Sequence, residues 1–137
     1  MTGIENLEKI LASMEPVLNA GEFVFCTFSN MNLADLLHLN PVASIKEAEG
    51  LTLIIEKKTA EIHNLESDAV FSHISLSVHS SLEAVGLTAA FAQKLASKGI
   101  SANVIAGYFH DHIFVQKEKA LQALEALNEL QLENSEE

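Results

Sequence analysis

The stretch Phe71-Ser72-His73-Ile74-Ser75-Leu76-Ser77-Val78-His79-Ser80-Ser81-Leu82-Glu83 decides how the rest of the chain is read. Up to His79 it alternates, with Ile74, Leu76 and Val78 on one face and His73, Ser75, Ser77 and His79 on the other. Successive side chains of a strand point to opposite faces, so this period predicts a strand with one buried face. Sheets built that way carry helices on one side only. Ser80 with Glu83 three residues later matches a capping box, which predicts a helix opening at Ser80. That helix is expected to run to Lys98, where Gly99 suits the left-handed residue that ends it.

Working outward, residues 100–106 and 112–116 read as strands joined by a connection over 107–111. A helix follows over 117–132, with Leu121, Leu124, Leu127 and Leu130 read as core contacts. Its lysines come first and its acids last, against the helix dipole, so residues 133–137 are expected to fray. Upstream, Ile4, Leu7, Leu11 and Met14 recur at helical spacing and Pro16 stops that helix. Residues 22–28 are rich in aromatic and β-branched types and read as a strand. A short helix over 33–39 ends before Pro41, strands follow over 42–48 and 51–55, and a second short helix covers 57–65. Both halves thus carry a strand-helix-strand-strand-helix order, a degenerate repeat of the ferredoxin-like unit. Each copy alone would bury one sheet face. The predicted fold is therefore α+β, two ferredoxin-like βαββαβ modules packed as one compact body, with antiparallel sheets and helices on one face. The divisions are 1–66, 67–132 and an acidic tail, 133–137.

Composition bounds the function. The chain has 137 residues, 48% hydrophobic and 20% charged, enough to bury a core without staples. With 8 Lys+Arg against 19 Asp+Glu its formal charge is −11. That balance argues against a nucleic-acid binder, which needs basic surface to displace counterions, and against a polybasic membrane module. No apolar run approaches the roughly 18 residues that span a bilayer, and the start lacks a secretory pattern. Cys26 is alone, so no disulfide framework forms within the chain. A soluble, cytoplasmic protein without nucleic-acid or membrane partners is expected, with no cofactor.

The segments Val78-His79-Ser80-Ser81-Leu82-Glu83-Ala84-Val85-Gly86-Leu87-Thr88, Leu95-Ala96 and Gly99-Ile100-Ser101-Ala102-Asn103-Val104-Ile105-Ala106-Gly107 resemble an ACT domain of the aspartokinase type. The whole chain, including Val24-Phe25-Cys26 and His110-Asp111-His112-Ile113-Phe114-Val115, is similar to a bacterial family of small stand-alone tandem ACT-like proteins. The match is specific over residues 70–116 and weak before them. The resemblance implies the fold, sensing of an amino acid or a similar metabolite, and no catalysis. It also implies that the effector is held partly by the second strand of a neighbouring module, where Asn103 stands here.

Gly86 falls inside the predicted helix, where glycine costs roughly 1 kcal/mol relative to alanine. Two reasons fit it: close approach of a ligand or partner backbone, or tight packing of helix on sheet. The resemblance favours the ligand. The helix start offers free amides and a positive dipole end, a seat for a carboxylate, unless Ser80 and Glu83 already cap them. A zwitterionic amino acid satisfies both readings, its carboxylate on the amides near Val85 and its ammonium near Glu83. The candidate ligand site is therefore His79, Ser80, Ser81, Glu83, Val85, Gly86, Leu87 and Asn103. His110 and His112, two apart, would share a face on a strand, as metal ligands do, with His73 or His79 as a third ligand only if the fold brings one near. Polar residues at a hairpin are also ordinary turn chemistry. Cys26 reads as an inert buried thiol, and His38 and His63 as surface or capping residues.

The functional expectation is a non-catalytic regulatory protein that binds a small molecule, an amino acid foremost, and forms a homodimer. Its rivals are a ligand-free interaction module and a metal-dependent enzyme built on His110 and His112.

Overall fold

The alternation over 71–76 is realised as a strand, and the elements around it follow from the same patterns. The structure, a computed structural model, describes residues 3–77 and 86–135, with side chains from Leu7 onward. In chain order the elements are α1 (Gly3–Ser13), β1 (Pro16–Leu18), β2 (Phe23–Phe28), the 3-10 helix η1 (Leu33–Leu39), β3 (Ala43–Lys46) and β4 (Leu51–Glu56). Then come α2 (Lys57–Ile62), β5 (Phe71–Leu76), α3 (Leu87–Ser97), β6 (Asn103–Ala106), β7 (Asp111–Gln116), the 3-10 turn η2 (Lys117–Lys119) and α4 (Ala120–Ser135). They group into two units. One is discontinuous and joins residues 1–20 to 72–137; the other is continuous, 21–71.

In the discontinuous unit the strands lie in the order β1, β5, β7, β6. β1 pairs antiparallel with β5, Pro16 opposite Leu76, and β6 pairs antiparallel with β7, Asn103 opposite Phe114. β1 falls where the sequence reading places only a helix stop. Three residues with a proline carry no visible period, and the strand exists because β5 offers it an edge. It gives the second-half copy its additional strand. One sheet face is apolar: Ile74, Leu76, Ile113 and Val115 are fully buried with Met14, just past α1, and with Phe91 and Leu95 of α3 and Leu127 of α4. Burying each such side chain contributes about 1.5–3 kcal/mol. The opposite face carries His73 and Ser75 from β5 and His112 and Phe114 from β7.

The last helix differs from its expectation. Its buried positions are Ala120, Ala123, Ala126, Leu127 and Leu130, whereas Leu121 is 71% exposed. It also continues past residue 132 to Ser135. The acids at its end are used: Lys94 of α3 reaches Glu133 at 3.0 Å and Glu129 at 3.6 Å, and Lys98 reaches Glu129 at 3.3 Å. These contacts offset the unfavourable dipole that motivated the expectation of fraying.

In the continuous unit β3, β4 and β2 form an antiparallel sheet, Ser44 opposite Leu53 and Cys26 opposite Leu53 on the other side. Its core is Val24, Cys26, Leu51, Leu53 and Ile55 under Leu36 and Leu39 of η1 and Ala60 of α2. Gly50 turns the β3–β4 hairpin; a Cβ there would lie 2.7 Å from the Phe28 carbonyl oxygen. Only hydrogen fits that approach.

Candidate functional site

Most of the expected ligand segment, His79, Ser80, Ser81, Glu83 and Val85, lies outside the described residues, and so does the capping box of Ser80 and Glu83. Gly86, Leu87 and Asn103 are described. Gly86 does not stand mid-helix: it is the N-cap residue of α3, with φ +87°. That backbone conformation strains any L side chain, and it explains the glycine without a ligand. A Cβ added to Gly86 would meet Leu7 Cδ2 at 3.3 Å. No side chain caps α3 through the described Gly86, and the first intrahelical bond runs from the Ala90 N–H to the Gly86 oxygen at 3.0 Å. Leu87 turns into the apolar core, 5% exposed. Asn103 is exposed on β6, and its Nδ2 donates to the Phe114 carbonyl at 3.1 Å.

The histidines are arranged differently from the i, i+2 expectation. β7 begins at Asp111, so His110 belongs to the hairpin loop, is exposed, and uses its carbonyl to accept the Gly107 N–H. Its ring lies 6.5 Å from that of His112 and nearly perpendicular to it, at 84°. The partner of His112 is His73 on the neighbouring strand: His73 Nε2 and His112 Nδ1 are 2.9 Å apart. Asn19, just past β1, holds the other side of the pair. Its Nδ2 reaches His73 Nδ1 at 3.3 Å and donates to Ser75 Oγ at 3.2 Å. An amide NH₂ can only donate, so His73 Nδ1 accepts, and His73 Nε2–H must then donate to His112 Nδ1. The His73 ring stacks on Phe114, 4.7 Å between centroids at 10°. Gly107 leaves room for the pair, since its Cβ would stand 3.1 Å from His112 Nε2.

Burial, reinforced by His112, pushes the His73 imidazole down from 6.5 to about 4. Burial and His110 lower His112, opposed by Asp111. Burial raises the Asp111 carboxyl, opposed by His112. The sequence singled out both His73 and His112, but only the pairing of two strands distant in sequence shows which nitrogen meets which. Among the described residues no three His, Cys, Asp or Glu side chains converge to hold a metal ion. Cys26 is buried with its thiol pushed up by burial, and its Sγ points to the Glu66 carbonyl at 3.7 Å. His38 and His63 are exposed and form an edge-on ring pair at 5.3 Å. No helix among the described residues is long and apolar enough to cross a membrane.

No curated protein matches the chain. Among solved structures, a protein of unknown function from Vibrio cholerae, described as a possible transport protein, is 62% identical. The match covers 95% of this chain and 99% of that one with a TM-score of 0.86. A protein from Agrobacterium tumefaciens shares the fold at 12% identity and a TM-score of 0.68, over 86% of this chain and 89% of that one. The ligand-free regulatory subunit of aspartate kinase from Thermus thermophilus does so at 12% identity and 0.64, over 84% and 95%. Two family models, each described as an ACT domain, match residues 2–72 and 71–129. The first spans more than half of the sequence and the second overlaps its end at residues 71 and 72, so the chain belongs to the ACT domain family, as two such domains in tandem.

Proposed function

We propose that the chain is a non-catalytic regulatory protein that reversibly binds a small molecule, an amino acid, and acts in the cytoplasm as a homodimer. The observation that carries this reading is the pair of ACT domain matches over residues 2–72 and 71–129. In this reading 1–66 and 67–132 are the two copies of a duplicated unit. The ligand is held by the strand-to-helix segment of the second copy: His79, Ser80, Ser81, Glu83, Val85, Gly86 and Leu87, with Asn103 facing it from another module or subunit. The amides of a helix first turn and its dipole favour a carboxylate, and Glu83 then faces the ammonium of a zwitterion. Binding would shift how subunits pack to the extent that the ligand prefers one arrangement over another.

A thermal-shift screen of the purified chain against the amino acids and common nucleotides tests this. At a ligand concentration about 100 times Kd the added stability is about 2.7 kcal/mol, a rise of several degrees in Tm. The expected result is such a rise with one amino acid, weakened in Glu83→Gln. A flat response to every amino acid overturns the reading.

One observation favours a second reading, a ligand-free interaction module. Tyr108 and Phe109 at the tip of the β6–β7 hairpin are 80% and 76% exposed and stack edge-on at 4.9 Å. Exposed aromatic pairs are the residues that protein interfaces use as anchors.

A further inference from the structure

The histidines of the described residues differ in what their ring nitrogens are doing. Those of His73 and His112 are spent on each other, with Asn19 on the far side of His73. His38 and His63 are placed otherwise. Their rings stand edge-on with centroids 5.3 Å apart at 70°, and neither imidazole has a hydrogen bond or ion pair among the described residues.

Local sequence fixes where these two rings stand. His38 lies in the last turn of η1, whose Leu36 and Leu39 are anchored in the core of the continuous unit. His63 ends α2, whose Ala60 enters the same core. Asn40 and Asn64, with φ of +51° and +54°, stop the two helices just past the histidines. Both backbones are therefore held by buried neighbours, while both imidazoles are exposed. The last torsion of a histidine is soft, so the rings are free to turn a nitrogen each toward one point. The electrostatics favour a cation there. Both helices bring their carbonyl-rich C-terminal ends to the pair. Asp35 stands three residues before His38, which in a 3-10 helix is the same line of side chains, with one carboxylate oxygen accepting the Asn32 N–H at 3.4 Å.

The spacing suits one metal in particular. Zinc holds an imidazole nitrogen at about 2.0–2.1 Å, and at a tetrahedral angle this puts the centroids of two ligating rings roughly 5.2 Å apart. The observed 5.3 Å meets that without moving either backbone. We propose that His38 and His63 together bind one zinc ion, with water in the remaining two positions. The ion ties η1 to α2 above the core that both helices cover. Because no three ligating side chains converge among the described residues, this is an open, exchangeable site, unlike the closed four-ligand sites of structural zinc. It is independent of the amino-acid reading and lies in the other half of the chain.

Zinc titrated into the untagged, metal-free chain tests this, followed by the carbon–proton NMR signals of the histidine rings and by thermal unfolding. The expected result is saturable shifts of the His38 and His63 rings at one equivalent of zinc. With zinc well above Kd, Tm should rise by several degrees, and EDTA should reverse the rise. His38→Ala and His63→Ala should each weaken binding at least tenfold, and the double variant little further, since either loss breaks the chelate. His110→Gln, at the exposed hairpin, should leave binding unchanged. The ring signals of the unaltered chain report the site even if a variant unfolds. No binding up to millimolar zinc, shifts confined to other histidine rings, or full affinity in either single variant overturns the site.

Discussion

A proton added to His73 has no lone pair to take without breaking a bond, since Nδ1 accepts from Asn19 and Nε2 already carries the hydrogen given to His112. The folded chain therefore holds this group at about 4, against 6.5 for an ordinary histidine. Between those values the unfolded chain binds more protons, so stability rises with pH there. The contribution is complete above about 6.5 and is lost as pH falls toward 4. His112, lowered by burial, acts with the same sign; Asp111, raised by burial, acts with the opposite one. We expect the urea midpoint to fall between pH 7 and pH 5, and His73→Gln to remove a large part of that fall. An NMR titration of His73 with a midpoint near 6.5 would contradict it. Two glycines allow a second test at this scale. Gly50→Ala places a carbon 2.7 Å from a backbone oxygen that cannot yield, whereas Gly86→Ala meets only the end of the Leu7 side chain at 3.3 Å. The first should cost about 3 kcal/mol and the second, mainly its left-handed φ, about 1 kcal/mol, read by chemical denaturation.

At the scale of elements, α4 shows why spacing alone misleads. Each residue turns a helix by about 100°, so leucines three apart drift steadily and Leu121 ends on the side opposite Leu130. The alanines at 120, 123 and 126 complete the buried stripe instead, against α1 and α3, and Gln131 Nε2 donates to the Ala12 carbonyl at 3.2 Å. Leu127→Ala should cost about 2–5 kcal/mol, while Leu121→Ala stays within about 0.5 kcal/mol. Ala123→Leu, which overfills a fully buried position, should cost about 1–3 kcal/mol, measured in the same way. Strands were more legible than helix faces. β2, β4, β5 and β7 announce themselves by β-branched content or period two, a signal that one residue of slip would invert. β1 and the N-cap role of Gly86 were not legible, because a borrowed edge and a positive φ are set by neighbours rather than by local sequence.

For the whole molecule, the sequence halves and the contact units divide the chain differently. The repeat is visible in the order of elements, yet Leu11 of α1 and Met14 just past it are buried in the core formed by residues from 74 onward. Pattern shows that α1 has an apolar stripe and is silent about which sheet receives it. The candidate site was legible only as residue types: the histidines were singled out, but their pairing needed the order of strands. A fragment of residues 67–137 should therefore lack cooperative unfolding by circular dichroism, and adding a peptide of residues 1–20 should restore it. A fragment that unfolds cooperatively alone would refute this.

That division has a consequence for the chain as it is being made. Residues 21–71 need nothing that follows them to close their own core, so they are free to fold soon after they leave the ribosome. The segment 1–20 emerges ahead of residues 21–71 yet must wait for α4, its apolar stripe uncovered until then. A chain stalled or terminated before α4 would present α1 to chaperones and proteases, which makes that helix a reporter of whether synthesis reached α4.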